Sequence, residues 1–298
     1  MRITNDSGLP ETLYRAICNA EAEYSKGDAD YSCTELIDPP RLTLLKQRHR
    51  DAITTDALDL LWAFLGKLGH ALAERAGADN AFVEERLFAE IASKRISGAS
   101  DLAKWVFHNG KITDYKFTKV YAIKFGSRIA DWEAQQNIYA WLFRKHGFEV
   151  TSLEICAVLI DWRPGEARRD PDYPPRVKLI PLRLWTEAEQ EHYIRNRLTV
   201  LIGYESMPDG ELPECTPEEM WEAPTRYAAM KTGRKSAVRV LDAEQDAIAV
   251  VTTGKATHVE VRHGGRKRCE AYCAVAPFCS QWKAWSGSHQ VEEAEETS

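Results

Sequence analysis

Lys111-Ile112-Thr113-Asp114-Tyr115-Lys116-Phe117-Thr118 is the stretch on which the reading of this chain turns. It is short, rich in β-forming residues, and follows Asn109-Gly110, the strongest short-range hairpin signal a sequence offers. On a strand, residues two apart share a face. Asp114 and Lys116 therefore point one way, and Thr113 and Tyr115 the other. A carboxylate beside an ammonium can hold a divalent ion and a phosphate oxygen together. Asp offers the oxygen ligand that Mg²⁺ takes, and Lys brings a compact positive charge to the water or the phosphate. Taken alone, the same pair is also an ordinary ion pair at a sheet edge.

Upstream, Ile96–Phe107 reads as the partner strand and Phe82–Ile91 as another with partial alternation. A turn at Asn109-Gly110 puts Trp105 opposite Asp114. Asp101, in Gly98-Ala99-Ser100-Asp101, then has the right parity but lies about 13 Å along the strand, at roughly 3.3 Å per residue. A bulge, strong twist or wider turn would have to close that gap. Further back, Ala57–Ala76 has helical spacing in Leu58, Leu61, Trp62, Leu65, Leu68 and Leu72, with Thr55 or Asp56 as its cap. His70 shares a face with Gly66 and Glu74, and Gly66 leaves room above it. It is a candidate metal ligand or phosphate contact, although taken alone such a residue is more often an ordinary helix-surface or core histidine. The first thirty or so residues are mixed and polar, with turns at Gly8-Leu9-Pro10 and Lys26-Gly27-Asp28.

Downstream, Asp131–Lys145 reads as a helix carrying Gln135 and Tyr139 one turn apart. Gln can orient a nucleotide or hold a lysine, and Tyr can stack on or hydrogen-bond a substrate. Leu153–Asp161 is a short apolar run that fits a buried strand, Pro164–Pro181 reads as a loop, and Thr186–Ile202 as a helix. Glu205–Glu222 is acidic and Pro-bearing. Beyond it, Tyr227–Met230, Ala237–Leu241 and Thr257–Arg262 look like short strands, with a helix at Ala243–Val251 and an acidic tail, Glu292–Glu296, expected to be disordered. This order predicts an α/β core around a central sheet, followed by a cysteine-bearing appendix.

The chain has 298 residues, 44% hydrophobic and 28% charged, enough for a core and for a second, smaller unit. Its net charge of -6 argues, as an average, against a nucleic-acid partner. The average conceals Lys231 to Arg268, with nine Lys or Arg against four Asp or Glu. The seven cysteines, without a secretory leader, do not look like a disulfide framework. No stretch approaches the roughly 20 apolar residues of a membrane span, so a soluble, cytoplasmic protein is expected.

Cys269-x3-Cys273-x5-Cys279 places three thiols within eleven residues, a spacing suited to a metal. A closed site needs a fourth ligand, from Cys215, Cys33, Cys18, Cys156 or a histidine such as His263. Cys215 ranks first because it sits in a Pro-bounded loop, Leu212-Pro213-Glu214-Cys215-Thr216-Pro217, and Cys33 second; Cys156 reads as a small core residue. Thiolates suit zinc or an iron–sulfur cluster equally by softness.

Gly69-His70, Gly98-x-x-Asp101, Asp114-Tyr115-Lys116 and Gln135-x-x-x-Tyr139, in this order, resemble the RecB-like branch of the PD-(D/E)XK nuclease superfamily, which includes the CRISPR-associated RecB-like exonucleases. Tyr31-Ser32-Cys33-Thr34-Glu35-Leu36 and Pro39-Pro40-Arg41 look like the family's opening S-x-x-x-L element. The resemblance covers about residues 30 to 160. It implies a restriction-endonuclease-like α/β core, a central mixed sheet flanked by helices, with a C-terminal cysteine-cluster subdomain. His70, Asp101, Asp114 and the Tyr115 carbonyl would bind Mg²⁺ or Mn²⁺, Lys116 would be the catalytic lysine, and Gln135 and Tyr139 would flank them. The middle acid is Asp where Glu is common in this branch. A further acid before Gly98 is ambiguous among Glu84, Glu85 and Glu90, with Glu85 preferred. The resemblance also favours a [4Fe–4S] cluster over Zn²⁺ on Cys215, Cys269, Cys273 and Cys279. The family usually has two residues, not three, between the first pair of these cysteines.

The division expected is residues 1–204 for the nuclease core, 205–288 for the cysteine unit and 289–298 for the tail. Arg266, Lys267, Arg268, Lys119 and Arg128, interleaved with aromatics, are candidate DNA contacts. The function expected is a metal-dependent deoxyribonuclease, an exonuclease on single-stranded or end-bearing DNA in recombination, repair or replication, with a partner protein from those processes. The alternative is a catalytically idle nuclease-like module that binds DNA or protein, stabilised by zinc or an iron–sulfur cluster.

Overall fold

The computed structural model describes residues 1–23, 25–76, 81–82, 85–106 and 109–287, so the expected acidic tail lies outside the described residues. The chain forms two compact units, Met1–Met207 and Pro208–Ser298.

The first unit opens with β1 (Arg2–Thr4), α1 (Glu11–Ala22), β2 (Tyr31–Ser32), α2 (Cys33–Ile37), α3 (Pro40–Arg48), β3 (Thr54–Asp56) and α4 (Leu61–Ala76). It continues with β4 (Ala81–Phe82), β5 (Arg86–Ile91), β6 (Lys94–Ala99), β7 (Leu102–Val106), β8 (Asn109–Thr118), α5 (Val120–Lys124) and α6 (Ile129–Lys145). It closes with β9 (Val150–Leu159), α7 (Pro164–Arg169), β10 (Val177–Leu182) and α8 (Glu187–Tyr204). The main sheet has five strands in the order β10-β9-β8-β7-β4. β8 and β9 are parallel and the other pairs antiparallel, so the sheet is mixed. A parallel pair needs a long crossover, and α6 supplies it. A three-stranded sheet, β2-β6-β5, and the parallel pair β1–β3 complete the unit.

Alternation decides the two faces of the main sheet. Ile112 and Asp114 of β8 pair with Leu153 and Ile155 of β9, and all four are buried, on the same face as Lys116. α6 packs against these strands with Ile138, Tyr139, Trp141 and Leu142 among its buried residues. The opposite face carries Thr113, Tyr115 and Phe117 beside Glu154, Cys156 and Val158, and Leu179 of β10 on that face is 58% exposed.

Several elements depart from the expected reading. The polar N-terminal segment contains α1, whose Ile17 packs with Ala57 and Phe64 in a small core. Helix α4 begins at Leu61, not Ala57, because the Asp56 carboxylate accepts the backbone N–H groups of Asp6, Ser7 and Leu58 and closes a loop. Pro164 and Pro181 do not mark a continuous loop. Pro164 starts α7, where its missing N–H costs nothing, and Pro181 sits on edge strand β10.

The second unit contains α9 (Pro217–Met220), β11 (Arg226–Met230), β12 (Arg239–Leu241), α10 (Glu244–Thr252), β13 (His258–Arg262) and α11 (Lys267–Ala271). β11 runs between β12 and β13, antiparallel to both. Fully buried Ala228, Ala229 and Ala247 let α10 lie close on that sheet. Among the described residues no helix is long and apolar enough to cross a membrane.

Candidate active site and cysteine cluster

The β7–β8 ladder pairs Val106 with Asn109, Trp105 with Gly110 and Leu102 with Thr113. Asn109 and Gly110 are therefore strand residues, paired with Val106 and Trp105, and the expected turn there is corrected. Gly110 serves a close approach instead. A Cβ on it would lie 2.4 Å from the Trp105 Nε1 and 2.3 Å from the Glu149 carbonyl oxygen, to which that indole donates. Extended by one residue, this register sets Asp101 opposite Asp114. The gap of about 13 Å disappears without a bulge between β7 and β8. The Asp101 carboxylate accepts the backbone N–H of Tyr115 at 2.7 Å.

From Asp114 a chain of polar contacts runs across the buried face. Asp114, 1% exposed, meets the Lys116 Nζ at 2.7 Å. Lys116 donates to the Gln135 Oε1 at 3.1 Å, and the Gln135 Nε2 donates to the Tyr139 hydroxyl at 3.0 Å. The four residues singled out on β8 and α6 are thus brought together. Burial pushes the Tyr139 phenol well up, with Cys33, Asp114 and Asp101 adding to it, so the ring stays neutral. Glycine makes this packing fit: a Cβ on Gly98 would lie 2.8 Å from the Tyr139 ring and 2.9 Å from Leu142. Gly69 does the same for α4, where a Cβ would come within 2.2 Å of the Phe117 ring. Gly66, expected to make room, has nothing within 4 Å of such an atom. The His70 side chain lies outside the described residues. Glu85 is exposed just before β5, at the end of the β5–β6 ladder nearer Asp101; Glu90 pairs with Arg95 at the other end, and Glu84 lies outside the described residues.

Cys33 also belongs here. Ser32 caps α2 in a reciprocal box with Glu35, its side chain accepting the Glu35 N–H while Glu35 accepts the Ser32 N–H. That cap sets Cys33 at the first helical position, buried, with its Sγ donating to the Gln135 carbonyl oxygen at 3.6 Å. Burial holds its thiol far up, against the pull of Lys116, so it is neutral. The Ser-x-x-Glu spacing was a legible signal for the helix. Nothing in the sequence signalled that its cysteine would meet Gln135.

Asp101, Asp114 and the Tyr115 carbonyl are hard oxygen donors. Mg²⁺ is commonly held through one or two carboxylates with several waters kept, so this donor chemistry fits it. Among the described residues, no three His, Cys, Asp or Glu side chains are arranged as a metal cage.

In the second unit, Cys269, Cys273 and Cys279 lie within electrostatic reach of Cys215, but among the described residues they are not arranged as a metal cage. Burial pushes the Cys215 thiol up to about 12, with Glu219, Cys279, Cys269 and Cys273 adding to it. Cys269 is pushed up to about 11 by burial, then Cys273 and Cys279, against Arg266 and Arg268. Gln281 ties the Cys215 loop in place: its Oε1 accepts the Cys215 N–H, and its Nε2 donates to the Cys215 carbonyl oxygen, each at 2.9 Å. All seven cysteines are free of disulfides. Cys18 lies on α1 and Cys156 on β9.

The basic candidates are largely engaged locally. Arg266 pairs with Glu222 at 2.9 Å and lies over the Trp285 ring, and Arg268 donates to the Glu219 carbonyl oxygen and lies over Trp221. Lys267 is exposed. Arg128 pairs with Asp131 at 3.1 Å, and the Lys119 ammonium lies 5.6 Å from the Trp62 ring centre.

No family model and no curated protein matches this sequence. Among solved structures, the protein SSO0001 is similar at 15% identity and a TM-score of 0.47, over 70% of this chain and 87% of that one. A protein from Eubacterium rectale named as a "putative exonuclease" is similar at 15% identity and a TM-score of 0.31, over 51% of this chain and 59% of that one.

Proposed function

We propose that this chain is a metal-dependent nuclease that hydrolyses DNA phosphodiester bonds from a free end. One observation carries the reading: Asp101 bonds the backbone N–H of Tyr115, next to Asp114, and Asp114 meets a lysine that also donates to Gln135. Asp101, Asp114 and the Tyr115 carbonyl would hold Mg²⁺ or Mn²⁺, with His70 as a further ligand from α4. Bound there, the ion supplies a more acidic water and polarises the phosphoryl oxygens.

The side chains do the rest. Lys116 keeps a positive charge beside the phosphate as negative charge builds on it. Gln135 and Asp114 fix the direction of that ammonium. Neutral Tyr139 and Cys33 wall the site with groups that add no charge to compete with Lys116. The four cysteines of the second unit would hold a [4Fe–4S] cluster or Zn²⁺ in a structural role.

The test uses end-labelled DNA with Mg²⁺ or Mn²⁺. The unsubstituted protein shortens it, whereas Asp114→Ala and Lys116→Ala do not, with the fold of both retained by circular dichroism. Equal rates in all three proteins overturn the reading.

A further inference from the structure

The apolar stripe of α4 and of the turn before it is open in the structure. Leu58, Trp62, Leu65 and Leu68 are 45%, 60%, 44% and 44% exposed. Trp62 and Gly69 are two helical turns apart on one face of α4, and that face lies along the end of β8. Gly69 sits against Phe117, and Trp62 lies under the Lys119 ammonium. Trp62 is therefore set just past the end of the strand that carries Lys116. Lys119 leads directly into α5, whose buried side is Val120 and Ala122. Its other side presents Tyr121 and Phe125, 64% and 63% exposed, with ring centres 4.7 Å apart. Single exposed rings are ordinary, whereas a group of them marks an interaction surface, and here three accompany an exposed lysine.

We propose that Trp62, Lys119, Tyr121 and Phe125 form a platform that binds unpaired nucleic-acid bases leading into the Asp114–Lys116 site. Flat exposed rings stack on the faces of bases, which a duplex hides and a single strand offers. Lys119 supplies the complementary charge for a phosphate between stacked bases. A protein partner or a second copy of the chain would bury the rings equally well. It would not need a cation held over one of them, within three residues of a lysine in the proposed phosphate site.

The proposal rests on the nuclease reading only for where the strand leads, and it is tested by binding rather than cleavage. The probes are phosphorothioate oligo(dT), an abasic strand of equal length and a blunt duplex, each titrated into the full-length protein. Oligo(dT) binds more tightly than the other two. Trp62→Ala and the double variant Tyr121→Ala/Phe125→Ala each weaken oligo(dT) binding on the order of tenfold, Trp62→Phe weakens it less, and abasic binding is unchanged. Oligo(dT) affinity unaltered in both ring-deletion variants overturns the proposal. So does equal affinity for the abasic strand, or a change of oligomeric state in Trp62→Ala with DNA binding intact. Cleavage that survives Asp114→Ala while these binding losses hold would sink the nuclease reading and leave the platform standing.

Discussion

The two units assemble their ionisable groups in opposite ways. In the first, Asp114, Lys116, Gln135 and Tyr139 form a contact chain in which the carboxylate meets an ammonium, the ammonium an amide, and the amide a neutral phenol. Charge is compensated inside the fold, behind a helix packed on a sheet. In the second, four thiols share a region with Glu219, and burial and mutual repulsion push Cys215 and Cys269 upward. Arg266 and Arg268 oppose this for Cys269, but each is also engaged with a glutamate-bearing segment and a tryptophan. In a site of the first kind the chain's own groups partner one another. A site of the second kind gains most from a cation that the chain does not itself carry.

Three experiments test that contrast. The largest effect is expected from stripping the metal proposed for the four cysteines. A structural zinc contributes on the order of 10 kcal/mol to small domains that depend on it. Amide protection should collapse within residues 208–287 and persist in β8, β9 and α6, as read by hydrogen exchange. Protection that stays equal in both units after the metal content has fallen to zero would abolish the distinction.

Next comes Lys116→Met. It leaves the Asp114 carboxylate buried without its ammonium, which should lower the stability of the first unit by about 3 kcal/mol. The drop should shrink at acidic pH, where the carboxylate protonates. An unchanged urea midpoint at neutral pH would show that Lys116 does not compensate Asp114. The smallest effect is expected from Gln281→Ala, which removes two hydrogen bonds from the Cys215 backbone. About 1 kcal/mol per bond should be lost from the second unit alone. A larger loss in metal-loaded than in metal-free protein would mean that the Cys215 loop is held for the sake of the metal.

Much of the first unit could be read from the chain, and the failures have physical causes. Strand parity placed Asp114 and Lys116 together, and helical spacing placed Gln135 beside Tyr139, because both depend on local geometry. Register does not. Asn109-Gly110 looks like a turn, but Gly110 is needed where the Trp105 indole crosses the chain, and a glycine gives the same signal for both uses. Helix α4 was legible as a helix, but its apolar spacing does not say what the stripe will meet, and Trp62, Leu65 and Leu68 are exposed. The place of Cys33 beside Gln135 was not legible, because it depends on a contact between residues more than a hundred positions apart.

Pro181 bears on how the molecule behaves in a crowd. β10 is the edge of the main sheet and exposes Val177 and Leu179, the composition that recruits strands from neighbouring molecules into fibres. In an edge strand, the donor that proline lacks is one that would have faced outward. The neighbouring Lys178 adds a charge that a stacked copy would have to bury or repel. The edge therefore carries its own stop against templated polymerisation, and a proline read from sequence as part of a loop is a guard on solubility.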